Sequence, residues 1–105
     1  MKRQLQLSIA TLFLTLLLGA QEKEFSYKPK EGYVPNAETA KRIAEAVWIP
    51  IYGEKQIQNE KPFKVGLHDG VWTVRGSLPP MHVGGVAEIA IAKDDGRILR
   101  VSHGK

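Results

Sequence analysis

The sequence predicts an α+β fold in which one N-terminal amphipathic helix packs on a four-stranded antiparallel meander, and three observations support this prediction. Apolar residues recur at helical spacing after Asn36, a hairpin signal lies at Asp69-Gly70, and a second pair of alternating segments flanks residues 93–96. The chain has 105 residues, a length that allows one such domain and leaves no room for a second core.

The first residues predict a secretory signal peptide over 1–20. Lys2 and Arg3 give a positive start, an uncharged apolar stretch of about fourteen residues follows, and small residues close it. This pattern predicts cleavage between Ala20 and Gln21. The sequence contains no cysteine, which favours a bacterial periplasm over a eukaryotic secretory route. The alternative is an uncleaved segment that anchors the protein in the inner membrane, although a bilayer core needs about twenty apolar residues.

The helix is predicted to follow an extended lead-in over residues 21–35, and the folded domain spans 36–105. Asn36 is a favourable N-cap because its side-chain oxygen accepts from a free N–H of the first turn. Pro50 predicts a kink or an end nearby, and Gly53 a definite stop. The residues spaced to form one apolar face are Ala40, Ile43, Ala44, Val47, Trp48 and Ile51.

Past the helix the apolar period changes to two, which predicts a hairpin of residues 63–68 and 71–78 around Asp69-Gly70. A two-residue loop pairs His68 with Val71. This register sets Leu67 opposite Trp72 on the core face, with Val65 opposite Val74 beside them. The predicted outer face carries Lys64, His68, Thr73 and Arg75.

A second hairpin is predicted from residues 86–92 and 97–103, joined by the turn 93–96. Alternation predicts that its core-facing residues are Ala87, Ile89, Ile91, Leu99 and Val101.

The charge of the chain argues against a nucleic-acid partner. Fifteen Lys and Arg stand against eleven Asp and Glu, a net charge of +4 that falls to +2 without Lys2 and Arg3. The basic residues are scattered singly along the chain and form no stripe.

We find no pattern of residues that predicts catalysis, a metal site or a cofactor. The sequence has no Gly-x-Ser-x-Gly elbow, and its three histidines form no i, i+4 pair. The glycine pair at 84–85 precedes a predicted strand and therefore offers no helix dipole for a phosphate. We expect no catalytic residues, no metal ligands and no cofactor.

One segment is unusual because a proline lies inside an amphipathic helix, which the fold class does not require. It reads Ala-Val-Trp-x-Pro-x-Tyr-Gly and contains Trp48, Pro50, Tyr52 and Gly53. Two further segments are residues 61–65 leading to 70–74, with Trp72, and residues 76–79 with 84–89. Together they resemble the bacterial immunity proteins with a nuclear-transport-factor-2-like fold, which are found beside polymorphic and Rhs-type toxins.

The resemblance implies a nuclear-transport-factor-2-like fold and a non-catalytic protein that binds and blocks a cognate toxin. A full fold of this type usually has several helices and a longer curved sheet, whereas this chain offers one helix and about four strands, so we expect a reduced form. It implies no fixed toxin contacts, so candidate partner-binding residues are chosen by their predicted exposure. The loop 79–85 qualifies because two prolines stiffen it and apolar residues lie in it. The candidates are Lys64, His68, Arg75, Met81 and His82.

Two other functions remain open from the sequence. A helix wrapped in an antiparallel sheet also occurs in cystatin-like and PepSY-like modules, which would make the protein a periplasmic inhibitor or accessory module. A small-ligand binder or isomerase on the concave sheet face would need a convergent acid and donor, such as Glu88 with Tyr52 or Arg75.

Overall fold

The computed structural model describes residues 25–104, so the predicted signal peptide and its Ala20–Gln21 cleavage site lie outside the described residues. It has the predicted α+β architecture, with a helix packed on a four-stranded antiparallel sheet in the order β1-β2-β3-β4. The elements are α1 (Ala37–Tyr52), α2 (Glu54–Asn59), β1 (Lys64–His68), β2 (Val71–Arg75), β3 (Ala87–Ala92) and β4 (Ile98–His103).

Helix α1 begins and ends where the sequence predicts. The Asn36 side chain accepts a hydrogen bond from the Thr39 N–H at 2.8 Å. The helix continues through Pro50 and ends at Gly53, whose φ of 95° is one that glycine tolerates best. The Gly53 N–H donates to the Ile49 carbonyl at 2.8 Å and thereby closes the last turn.

A short second helix, α2, was not predicted, since only one helix was expected before the strands. Its six residues are too few to display a helical period, and they follow a glycine that ends α1. Ile57 is its buried residue and belongs to the core cluster. Helix α2 therefore closes the end of the core next to α1.

The first hairpin has the predicted register, with His68 paired to Val71 and Leu67 to Trp72. Strand β2 is shorter than predicted and ends at Arg75. It ends there because the Ser77 N–H leaves the ladder and donates to the Glu60 carbonyl at 2.7 Å.

The second hairpin departs from simple alternation at a β-bulge. Ala90 pairs with Arg100 and Ile91 with Ile98, which leaves Leu99 as the extra residue. The prediction that Leu99 faces the core is therefore wrong, and its side chain is 47% exposed. Val101 pairs with Ile89 and packs against the core as predicted.

The core lies between α1 and one face of the sheet, which we call the covered face. The Trp48 ring meets Phe63 edge-on, with centroids 5.2 Å apart. Ile51 and Leu67 were predicted to lie on apolar core-facing positions, but both remain about half exposed at the margin. The buried cluster consists of Val34, Ala40, Ala44, Trp48, Ile57, Phe63, Trp72, Val74, Ala87, Ile89 and Ile91.

Residues 25–35 form no helix or strand, but their end is fastened to the β3–β4 turn. The N–H groups of Tyr33 and Val34 donate to the carbonyls of Asp94 and Lys93 at 2.9 and 3.0 Å. The Trp72 indole N–H then donates to the Val34 carbonyl at 2.8 Å. This segment thus contributes Val34 to the core.

Candidate functional site

The second face of the sheet, which we call the open face, is polar. Side chains alternate along a strand, so the residues between the core positions point to the opposite side. The helices among residues 25–104 pack on the covered side, where their buried residues join the core cluster. The open face consists of Lys64, Gly66, His68, Val71, Thr73, Arg75, Glu88, Ala90, Ala92, Arg100 and Ser102.

Small residues form the middle of the open face. Gly66 pairs with Thr73, and Thr73 pairs with Ala90, so the three lie in one row across the strands. A Cβ added to Gly66 would meet nothing within 4 Å. Because these side chains are short, the row is lower than the charged row beside it. Gly66 is exposed, whereas Ala90 has only 8% of its surface exposed.

A charged row lies beside the small residues. Lys64 pairs directly with Arg75, and Arg75 pairs with Glu88 on the next strand. The Glu88 carboxylate is instead bound to Arg100, whose Nη2 lies 3.3 Å from Oε1. Within residues 25–104, Lys64 and Arg75 have no ion-pair partner. This side of the open face is therefore net positive.

The charged row ends in a groove of about 560 Å³. Its volume lies within the range typical of ligand pockets, about 300–1,000 Å³. Backbone from the glycines at 76, 84, 85 and 104 forms part of its wall. The other residues that line it include Lys64, Arg75, Ser77, Glu88, Ser102 and His103.

Behind the groove lies a buried carboxylate, Glu60, with only 3% of its surface exposed. Its Oε1 accepts the Ala87 N–H at 2.7 Å, and its Oε2 accepts from Gln56 Nε2 at 2.9 Å. His103 Nε2 lies 3.1 Å from the same Oε2. The network joins α2, the start of β3 and the end of β4, and so fixes the groove end of the sheet.

The protonation of this network follows from its hydrogen bonds. Burial alone raises the pKa of the Glu60 carboxyl, but the Ala87 N–H and the Gln56 and His103 donors lower it below its ordinary value. The pKa of His103 is raised, first by its hydrogen bond to the Gly104 carbonyl and further by Glu60. Glu60 and His103 therefore favour an ionised pair.

Gly76 is required where β2 leaves the ladder beside this carboxylate. A Cβ at Gly76 would collide with the Glu60 carboxylate oxygen. Only a residue without a side chain lets the strand pass this closely to the buried acid.

The loop 79–85 borders a second groove of about 340 Å³. His82 of the loop lines this groove, and so does Glu60. Met81 is fully exposed and has a φ of 68°. Val83 beside it is 97% exposed. The loop thus presents apolar side chains to solvent, which is typical of contact surfaces.

The structure brings together two of the five candidate partner residues. Lys64 and Arg75 meet at the first groove, and Met81 and His82 lie in the loop next to it. His68 lies at the other end of β1, about 13 Å away at the usual rise of a strand. Its side chain is 92% exposed and lies 3.2 Å from the Asp69 carboxylate.

Sequence reasoning missed Glu60, His103 and Arg100 as parts of this region. Glu60 carries no sequence signal, because its partners Ala87 and His103 lie 27 and 43 positions further along the chain. Arg100 lies on the outward side that alternation with Val101 predicts, but its ion pair with Glu88 depends on the pairing of β4 with β3.

The acid and donor pairs considered from the sequence are only partly brought together. Glu88 and Arg75 are neighbours on the open face. Tyr52 instead lies on the covered side, where its ring contacts His103 at a centroid distance of 5.0 Å. Glu88 and Tyr52 are therefore separated by the sheet.

Within residues 25–104, no group of three or more His, Asp or Glu residues is arranged to hold a metal ion. No helix in this part of the chain combines the length and the apolar character needed to cross a membrane.

Comparison with known proteins gave two matches. The sequence profile described as "NTF2 fold immunity protein" matches residues 39–105. The "Uncharacterized protein YhhH" of Escherichia coli (strain K12) is 37% identical over 90 residues, which cover 85% of this chain and 70% of that protein. No solved structure matches the chain.

Proposed function

The chain belongs to the NTF2 fold immunity protein family, and from that membership we propose that it binds and neutralises a cognate bacterial toxin by protein–protein contact, without catalysis of its own. The family match carries this proposal, because it runs from the first turn of α1 to the last residue and so includes every strand. A protein that neutralises a toxin by contact needs an accessible contact face in which a few residues supply most of the binding energy.

The open face and the loop 79–85 are the surfaces that we propose for toxin contact. They meet at the groove, which joins charged side chains to exposed apolar ones. Interfaces commonly combine these features, with apolar residues at the centre and polar residues around them. The proposed contact residues are Lys64, His68, Arg75, Met81 and His82.

We also propose that the protein acts after export to the periplasm, with residues 1–20 removed as a signal peptide. The support is the sequence pattern of a positive start, an apolar stretch and small residues before Gln21. Fractionation of cells and N-terminal sequencing test this directly. A periplasmic protein that begins at Gln21 is expected, whereas an intact N-terminus in the membrane fraction would indicate an uncleaved anchor.

Co-expression with the neighbouring reading frames tests the immunity function. Each neighbouring product is expressed with a periplasmic signal, alone and together with this chain, and viable cells are counted. We expect one product to be toxic alone, to lose its toxicity with this chain and to co-purify with it at a fixed stoichiometry. Toxicity that this chain leaves unchanged, with the chain folded and abundant, would contradict the proposal.

A further inference from the structure

We propose that the groove at the end of the open face accepts an acidic segment of the partner protein, with a carboxylate held between Lys64 and Arg75. The identity of that partner as a toxin rests on the proposed function. The preference for a carboxylate-bearing polypeptide rests on the arrangement of charge and shape around the groove.

The first observation is a pair of like charges set directly opposite each other. Lys64 and Arg75 are partners in the β1–β2 register, and both side chains lie on the open face. Like charges in directly opposed positions destabilise an antiparallel pair. This placement does not stabilise the folded chain by itself. An anion bound between the two side chains would be attracted to both of them and would offset their repulsion.

The second observation is that the nearby carboxylates are already engaged. Glu88 is the next residue in the charged row, but its carboxylate is 3.3 Å from Arg100 Nη2. Glu60 lies behind Gly76 and accepts hydrogen bonds from Ala87, Gln56 and His103. The charge that would neutralise Lys64 and Arg75 must come from outside residues 25–104.

The chemistry of the pair suits a carboxylate. The Arg75 guanidinium can donate two parallel hydrogen bonds to both oxygens, and the Lys64 ammonium adds a mobile point charge. Ser102 also lines the groove, and its hydroxyl can donate to an anion. The Ser77 hydroxyl is already committed to the Pro62 carbonyl at 2.6 Å.

The shape of the open face favours a polypeptide over a small anion. The small residues Gly66, Thr73 and Ala90 form the next row across three strands, a shallow trough beside the charged row. An extended segment can lie along this trough and insert one acidic side chain into the groove. Nucleic acid fits poorly, since Lys64 and Arg75 are the only cations of the open face without an ion pair within residues 25–104, and Glu88 would repel its phosphates.

A peptide-binding experiment tests this inference without the toxin. The full chain is titrated with hexaglutamate, with hexaglutamine as the neutral control, by calorimetry at low and high salt. We expect hexaglutamate alone to bind, with an affinity that falls as salt is raised. Equal binding of both peptides, or of neither, would overturn the proposal.

Two double variants locate the binding. Lys64→Gln with Arg75→Gln should weaken hexaglutamate binding at least tenfold, while the melting temperature stays unchanged or rises because the repulsion is relieved. Arg42→Gln with Lys55→Gln removes the same charge from the exposed helix surface and should leave binding within twofold. Equal losses in both variants would mean a non-specific charge effect and would contradict the proposal.

Two further comparisons separate the alternatives. Inorganic phosphate that competes for the groove as well as hexaglutamate would identify a small-anion site and overturn the polypeptide assignment. If the chain neutralises a toxin and the Lys64→Gln, Arg75→Gln variant neutralises it equally, this inference fails while the proposed function stands. If no toxin is neutralised but hexaglutamate binds as expected, the proposed function alone fails.

Discussion

The two faces of the sheet are built from the same four strands but differ in burial and in charge. On the covered face, Val74, Ile89 and Ile91 are completely buried against α1. On the open face, the adjacent residues Arg75 and Glu88 are charged and accessible to the groove. Successive residues of one strand therefore belong to different environments, and buried apolar residues alternate with polar or small ones with a period of two.

Charge without a counter-ion is tolerated only where water can reach it. On the covered side the buried Glu60 carboxylate accepts three hydrogen bonds, one of them from His103. The open face holds Lys64 opposite Arg75 with no counter-ion from residues 25–104. A core could not accept that arrangement, whereas a recognition surface gains specificity from it.

The largest effect is expected from a truncation on the covered face. Ile89→Ala should lower the free energy of unfolding by about 2–5 kcal/mol, because a fully buried side chain leaves a cavity. Its neighbour Glu88 is the matched control, since Glu88→Ala removes only a partly exposed ion pair and should cost no more than about 1 kcal/mol. Urea denaturation of both variants measures the difference, and equal losses would mean that the two faces do not differ as described.

The next largest effect is expected at the buried acid of the covered face. Glu60→Ala leaves the Ala87 N–H without its partner and should cost about 1–3 kcal/mol. Glu54→Ala, at the exposed start of α2, should change stability by less than about 0.5 kcal/mol. If thermal or urea denaturation finds the two variants equally stable, the Glu60 network does not fix the groove end.

The pH dependence of stability should be smaller and should have two limbs. The lowered pKa of Glu60 gives stability that is present above its ordinary pKa and is lost as the pH falls through the lowered one. The raised pKa of His103 gives stability that is complete below its ordinary pKa and is lost as the pH rises through the raised one. The melting temperature should therefore be highest between about pH 4.3 and 6.5, the ordinary values of the two groups.

His103→Gln isolates the alkaline limb. This variant should keep the loss of stability in acid but should show a flatter melting temperature above neutral pH. An unchanged alkaline limb would show that His103 is not its source.

The sequence predicts the covered face well, because that face follows from local signals. Asp69-Gly70 defines the first hairpin and its register, and Asn36 and Gly53 define the ends of α1. The failures occur where tertiary context decides. Leu99 is displaced by a bulge, and α2 has too few residues to display a period.

The candidate site is less predictable because it is assembled across the fold. Lys64 and Arg75 follow from hairpin register, so the sequence predicts that they share a face. The burial of Glu60 and the position of the groove at one end of β1 depend on contacts between distant segments. A pattern of residues along one strand contains no information about those contacts.

The smallest effect on stability is expected on the surfaces proposed for recognition. Arg75→Ala and His82→Ala change exposed side chains and should shift the free energy of unfolding by less than about 0.5 kcal/mol each. Both should weaken toxin binding, measured by calorimetry or by loss of protection in cells. A fall in melting temperature with intact binding would make these residues structural and would reverse the proposed division between the faces.

Site-specific photocrosslinking tests most directly the claim that the open face is the recognition surface. A photoreactive phenylalanine analogue is introduced at Thr73 on the open face and, in a separate protein, at Arg42 on the exposed side of α1. With the neutralised toxin present, a covalent adduct should form from position 73 and not from position 42. An adduct from position 42 alone would contradict the account, because the partner would then bind the helix side of the fold.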